Sequence, residues 1–223
     1  MSAPEPTVSV LLDPDHAATG LVADVRRGLG SRPLRLPPKW LYDDRGSALF
    51  DRITRLPEYY PTEAERAILA AYADEIAAAC DATTVVELGS GTSDKTRLLL
   101  DAFDRTGRLE TFIPVDVAEG TLRDAATRLR ERYPDLASEG VVGDVTLHLG
   151  QLPRRGRRMV AFLGSTIGNL YLEERRAFLG ALADSLEPGD WLLLGTDLVK
   201  PVDRLVEAYH DAAGVTEIGR AHV

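Results

Sequence analysis

Apolar and polar residues alternate along most of this chain in two kinds of block. TVVELG (84–89), TFIPVDV (111–117), RMVAFLGST (158–166) and DWLLLGTDL (190–198) are short runs rich in β-branched residues or leucine. Runs of that length, bounded by glycine or charge, read as strands buried on both faces. VVGDVTLHLG (141–150) is expected to contain one more strand. Between them lie segments with helical spacing: Glu63 to Cys80, 93–103, 118–133, 172–186 and 202–213. Thr62 is an expected N-cap for the first, with Glu65 completing a capping box, and Ser93 an expected N-cap for the second. Strands alternating with helices predict an α/β fold: a parallel sheet with helices on both faces. Before residue 63 the pattern weakens. Only Leu21 to Leu29 looks helical, and a segment from Pro37 to Thr62 concentrates Trp40, Tyr42, Phe50, Tyr59 and Tyr60. That segment reads equally as a packing anchor or as a pocket wall with hydroxyl tips.

The stretch VVELGSGTSDKT (85–96) ends a predicted strand and opens a predicted helix. Loops of this shape bind triphosphates, dinucleotides or S-adenosylmethionine. A P-loop requires a second glycine five residues after Gly89, and a dinucleotide loop requires a third glycine at the same place. Asp94 occupies it. A carboxylate beside a phosphate is electrostatically unfavourable, so both phosphate ligands are disfavoured. S-adenosylmethionine carries a sulfonium and an ammonium and no phosphate. Glu87 suits a cationic ligand, and Gly89 and Gly91 allow close backbone approach. Asp116, at the end of the next strand, can accept ribose hydroxyls, and Asp144 in VVGDV can accept an adenine amino group. Each acid alone could be a strand-end or capping residue; three at successive strand ends form a constellation at the edge where such sheets bind ligands.

Composition narrows the alternatives. A formal net charge of −9 argues against a nucleic-acid partner. Arg154, Arg155, Arg157 and Arg158 read as a solvated loop entering a strand. Cys80 is the single cysteine, which excludes an internal disulfide and fits a reducing cytoplasm. No signal-peptide pattern and no membrane-length apolar run is seen. The four histidines show no metal-ligand spacing, and no metal is expected.

The segments LPPKWLYDDRGSALFDRITRLPEYYPTEAE, VELGSGTSDKTRLLL, IPVDV, FLGSTIGNL and LLLGTDLVK occur in this order. Together they resemble the histidine-specific Nα-methyltransferases of ergothioneine biosynthesis, from about Asp24 to Thr216. The resemblance implies a Rossmann-like class I methyltransferase fold with S-adenosylmethionine as cofactor. It implies three methylations of the α-amino group of L-histidine, giving hercynine, by a protein that acts as a monomer. For the cofactor it implies Gly89 against the ligand, Lys95 at its carboxylate end, Asp116 on the ribose, and Asp144 with the backbone of Val145 on the adenine. For the substrate it implies Tyr59, Asn169 and Tyr209 on the amino and carboxylate groups, with Tyr42 and Gly164 lining the amine's approach. Without the resemblance, Asn169 reads as a turn residue and Tyr209 as helix packing. A related methyltransferase acting on another amine, and a non-catalytic cofactor-binding domain, are the alternatives.

The resemblance divides the chain into an N-terminal part of the substrate region (1–61), a methyltransferase domain (62–217) and a tail, IGRAHV (218–223), expected to be non-native. Family members continue past the last helix with further strands and a segment facing the imidazole. The sheet is therefore expected to lack its final strands, DWLLLGTDL to form an apolar edge, and the chain as given to be poorly soluble and inactive.

Overall fold

A computed structural model of the chain describes residues 5–13 and 15–216. The expected non-native tail, 218–223, lies outside the described residues. The chain divides into two compact units, the first taking residues 1–11 and 64–196, the second 12–63 and 197–223. This differs from the expected division at residue 62. The N-terminal residues belong with the sheet, and those from 197 group with 12–63.

In the first unit six strands, β1 (Thr7–Val10), β2 (Thr84–Leu88), β3 (Thr111–Asp116), β4 (Ala137–Val142), β5 (Arg158–Phe162) and β6 (Trp191–Leu194), form one sheet in the order β1-β4-β3-β2-β5-β6. Every pairing is parallel. β2, β5 and the first five residues of β3 are buried throughout, which is why they read as unbroken apolar runs. Successive residues feed opposite faces. Val85 and Phe112 join a core with Leu69, Ala73, Leu99, Phe103 and Leu129 from α3 (Tyr60–Cys80), α4 (Thr96–Arg105) and α5 (Glu119–Arg132). Val86, Leu88, Ile113 and Val115 join a second core with Phe178 and Leu182 of α6 (Leu172–Ser185). After β2 the chain builds outward through β3 and β4. It then returns to place β5 on the other side of β2. That reversal puts the open crevice of the sheet at the carboxyl end of β2.

β1 was not legible in the pattern: it is four residues long and largely exposed. β4 lies earlier than expected, ending at Val142, before Asp144. α3 starts at Tyr60, not at a Thr62 cap. Pro61 sits in its first turn, where a missing N–H costs nothing. Thr62 is buried inside the helix, and Glu65 is free of any capping box. β6 ends the sheet as expected, with Trp191 and Leu192 exposed.

The arginine run is not a simple solvated loop. Arg154, Arg155 and Arg157 pair with Glu187, Glu139 and Asp81 at the surface. Arg158 is buried, 4% exposed, against an equally buried Asp190. Its Nε and Nη2 donate to Asp190 Oδ2 at 3.0 and 2.6 Å, its backbone N–H to Oδ1 at 2.8 Å, and Nη2 also to the Ser185 carbonyl. Burial alone would raise the Asp190 carboxyl. The bonds from Arg158 and from the Arg158 and Glu187 amides outweigh it and hold the group below the usual carboxylate range.

Among the described residues the second unit contains α1 (His16–Leu29), α2 (Asp44–Ile53) and α7 (Val202–Ala208), with a short 3-10 turn at Pro38–Leu41. α1 begins before the Leu21 to Leu29 pattern. α2 went unpredicted inside the aromatic segment; Asp43 caps it by accepting from the Gly46 amide at 2.7 Å. A Cβ on Gly46 would lie 1.6 Å from the Leu41 carbonyl, so the turn into α2 requires glycine. Asp24 accepts from Trp40 Nε1 at 2.9 Å and pairs with Arg27 and Lys39.

Replacing Asp190 with Ala leaves a buried guanidinium uncompensated and is expected to cost about 3–5 kcal/mol of unfolding free energy. Breaking the exposed Arg105–Asp74 pair by Asp74→Ala should cost no more than about 1 kcal/mol. Urea melts of the two variants distinguish them; equal losses would contradict the role given to Arg158.

Candidate active site

The glycine loop leaves β2 and must turn sharply before α4 begins at Thr96. Gly89 (φ +72°), Gly91 (φ +49°) and Ser93 (φ +54°) all take left-handed backbone. A Cβ on Gly89 or Gly91 would meet nothing within 4 Å. These glycines are therefore set by backbone geometry, and they face open space into which a ligand can come close. The loop is anchored on both sides. The Gly89 and Ser90 amides donate to the Val115 carbonyl at 2.8 and 3.0 Å. The Gly91 amide donates to Asp116 Oδ2 at 2.8 Å, while Asp116 Oδ1 accepts from the Ala118 amide at 2.9 Å.

Ser93 does not cap α4 as expected. A left-handed residue cannot supply N-cap geometry, and its hydroxyl donates instead to Glu87 Oε2 at 3.1 Å. Thr96 Oγ1 donates to Glu87 Oε1. Glu87 is thus a buried carboxyl, 5% exposed, beneath the loop. Burial pushes its pKa up to about 8, against the lowering effect of Thr96, Ser93 and Lys95, and Asp116 adds to the rise. At neutral pH it is mostly protonated, so its first role is to tie the loop to the strand.

Asp116 and Asp144 stand at the ends of adjacent strands; Asp116 is in register with Val142, two residues before Asp144. Asp144 is buried. Its Oδ1 accepts from the Thr146 amide at 2.8 Å and the Thr146 hydroxyl at 2.6 Å, and its amide meets His148 Nδ1 at 3.0 Å. Val145 follows it in the same turn. Lys95, at the far end of the loop, pairs with Glu65 of α3. Glu65 also accepts from the Gly164 amide at 2.8 and 3.1 Å through its two oxygens. Gly164 (φ +73°) directly follows β5 and Leu163 and is exposed. Asn169 ends a short 3-10 turn, Thr166–Asn169, and is exposed as well.

Glu87, Gly89, Gly91, Lys95, Asp116, Asp144 and Val145 therefore gather at the carboxyl ends of β2, β3 and β4, with Gly164 and Asn169 in the segment after β5. Ser93, Thr96 and Glu65 are site residues that sequence reasoning had placed elsewhere or passed over. Two were assigned to helix capping, and only the fold reveals their partners. Carboxylates at two strand ends and open space over the glycines fit a cationic ligand without phosphate.

The remaining expected residues lie in the second unit. Tyr42, Phe50, Tyr59 and Tyr209 form an edge-to-face row, with ring centroids 5.6, 6.1 and 5.6 Å apart. Tyr59 is buried and Tyr209 is 61% exposed. Tyr209 lies just past the end of α7, not on it. Tyr60, beside the row, donates to Asp197 and lies under Lys200 and Arg204.

The sheet order, the reversal at β2 and the acid-and-glycine crevice define a class I methyltransferase fold. A Thermobifida fusca crystal structure assigned as a methyltransferase shares this fold (TM-score 0.54, 16% identity, 78% of this chain and 66% of that one). The sequence profile of the histidine-specific, S-adenosylmethionine-dependent methyltransferases matches residues 21–218, and the chain belongs to that family. It is 58% identical over 202 residues to the histidine N-alpha-methyltransferase of Mycolicibacterium smegmatis, covering 91% of this chain and 63% of that protein. It is 33% identical over 189 residues to ergothioneine biosynthesis protein 1 of Neurospora crassa, covering 82% of this chain and 22% of that protein. The chain thus spans under two thirds of the length of these relatives. Among the described residues no helix is long and apolar enough to cross a membrane.

Glu87 also sets a pH dependence. Unfolded, it ionises near its ordinary 4.5; folded, it holds its proton to about 8. Between those values the folded chain binds a proton that the unfolded chain has lost, so stability declines as pH rises through the window. The thermal midpoint of the wild type, measured against Glu87→Gln, is expected to fall from pH 5 to pH 8 and then level off. A difference that stays constant with pH would contradict this.

Proposed function

We propose that this protein transfers methyl groups from S-adenosylmethionine to the α-amino group of L-histidine, three times, giving hercynine for ergothioneine biosynthesis. The observation that carries the reading is the crevice at β2, β3 and β4, in a chain of the histidine-specific family. Gly89 and Gly91 admit the cofactor to the backbone, Asp116 takes the ribose hydroxyls, and Asp144 with the Val145 amide takes the adenine. When bound, the cofactor supplies an electrophilic methyl on a sulfonium. The protein has to place a neutral amine in line behind that methyl and exclude water. Tyr59, Asn169 and Tyr209 are suited to this: their hydroxyl and amide groups orient an amine and a carboxylate without adding charge. The family resemblance supports Tyr42 and Gly164 as residues on the amine's approach. Each transfer would break the cofactor's C–S bond as the C–N bond forms and release the neutral thioether, the amine having first lost a proton to solvent or a neighbouring base.

The test is incubation with S-adenosylmethionine and each of several amino acids, alongside the Mycolicibacterium smegmatis relative, with mass spectrometry counting the methyl groups added. L-histidine is expected to gain up to three with the relative and, at a far lower rate, with the chain as given, which spans 63% of that protein's length. Methylation of another amino acid in preference to histidine would overturn the substrate. Asn169→Ala should raise the histidine KM by roughly tenfold or more, the loss of a hydrogen bond to a charged group, and leave cofactor affinity unchanged. A fall in cofactor affinity instead would remove Asn169 from the substrate side.

A further inference from the structure

The turn after β4 holds its acid more firmly than a turn requires. Asp144 is only 3% exposed. The Thr146 amide donates to its Oδ1 at 2.8 Å, a bond by which a short acid commonly satisfies a backbone donor two residues on. The Thr146 hydroxyl donates to the same oxygen at 2.6 Å. This second bond joins two side chains and satisfies no backbone group. Its length is that of a hydroxyl on a carboxylate, the stronger class of hydrogen bond. The rest of the turn is closed without it. The Leu147 and His148 amides donate to the Asp144 carbonyl at 2.9 and 3.0 Å, and the Asp144 amide donates to His148 Nδ1 at 3.0 Å. Thr146 itself is exposed and belongs to neither core, so packing does not account for its hydroxyl.

A carboxyl group held by one bond can turn about its Cβ–Cγ axis. Two donors on one oxygen, from the backbone and the side chain of the same residue, fix its plane, because turning breaks both. A fixed carboxylate discriminates between the groups that face it. It accepts from an amino group, repels the lone pairs of a carbonyl, and gains no hydrogen bond from a bare C–H. We propose that Thr146 is a positioning residue: by pinning Oδ1 it aims the Asp144 carboxylate at the 6-amino group of a bound purine and so sets the preference for that group. This rests on the reading that Asp144 takes the adenine. Thr146 acts through Asp144 alone and does not touch the ligand.

Calorimetry on the full chain with two ligands tests this. S-adenosylhomocysteine carries the 6-amino group; its purine-riboside analogue has hydrogen there and is otherwise the same. The wild type is expected to bind S-adenosylhomocysteine roughly tenfold more tightly or better, the worth of one hydrogen bond to a charged group. Thr146→Val keeps the shape and the backbone amide and removes the hydroxyl. It should weaken S-adenosylhomocysteine binding by roughly threefold to tenfold and leave the analogue unchanged, so that the preference shrinks, and Thr146→Ser should restore it. With Asp144→Ala already in place there is no carboxylate to aim, and adding Thr146→Val should have no further effect. Wild-type affinities in Thr146→Val would overturn the proposal, as would a Thr146→Ser equally impaired. Equal weakening of both ligands, or an undiminished effect without Asp144, would overturn it too by marking a role in turn shape alone. A wild type with no preference for the amino purine, or an Asp144→Ala variant that keeps that preference, overturns the adenine reading. A wild type that binds neither ligand overturns the cofactor reading, and the positioning role falls with either. Should Thr146→Val differ from the wild type by circular dichroism, Thr146→Ala carries the same comparisons.

Discussion

The arrangement of this site depends on a carboxyl group buried beneath a loop. Three residues between Gly89 and Ser93 adopt left-handed backbone, a conformation that short loops hold only when their surroundings fix it. Glu87 is what fixes it from below, through the hydroxyls of Ser93 and Thr96, and Asp116 from the side, through the Gly91 amide. Because Glu87 keeps its proton near neutral pH, it does this without setting a full negative charge under the ligand. The carboxylates expected to meet a ligand stand instead on the neighbouring strands. One acid shapes the loop and others face the crevice, so similar side chains in one short region divide the work according to burial.

That division explains what could be read from the residues and what could not. The buried strands β2, β3 and β5 were legible because parallel strands covered on both faces are apolar without interruption, and β6 because its run WLLL is equally apolar although it lies at the exposed edge. β1 was not, since an exposed four-residue edge strand leaves no such signature. The glycine loop and its acids were legible as chemistry, because Asp94 excludes phosphate and Glu87, Asp116 and Asp144 end successive runs. The partners of those residues were not. Glu65 and Ser93 carry residue types that suit helix caps, and local pattern assigned them there. Their bonds run to residues 30 and 99 positions away for Glu65, distances at which sequence spacing carries no information.

The same limit applied to Arg158. In sequence it is the last of four similar arginines. In the fold, three remain at the surface in ion pairs and one is buried against Asp190 at the start of β5. Charge patterning reports how many charges a segment has; which of them is withdrawn from water is decided by the strand that follows.

The chain has two tryptophans, and the fold distributes them one to each compact unit. Trp40 donates its indole N–H to Asp24 in the second unit, and Trp191 lies half-exposed on the outermost strand of the first. Each unit therefore carries one tryptophan as an intrinsic fluorophore. A phenylalanine at either position leaves the other as a clean optical report on one unit, and with the pair it becomes possible to ask whether the sheet and the aromatic row melt as one cooperative body or in turn.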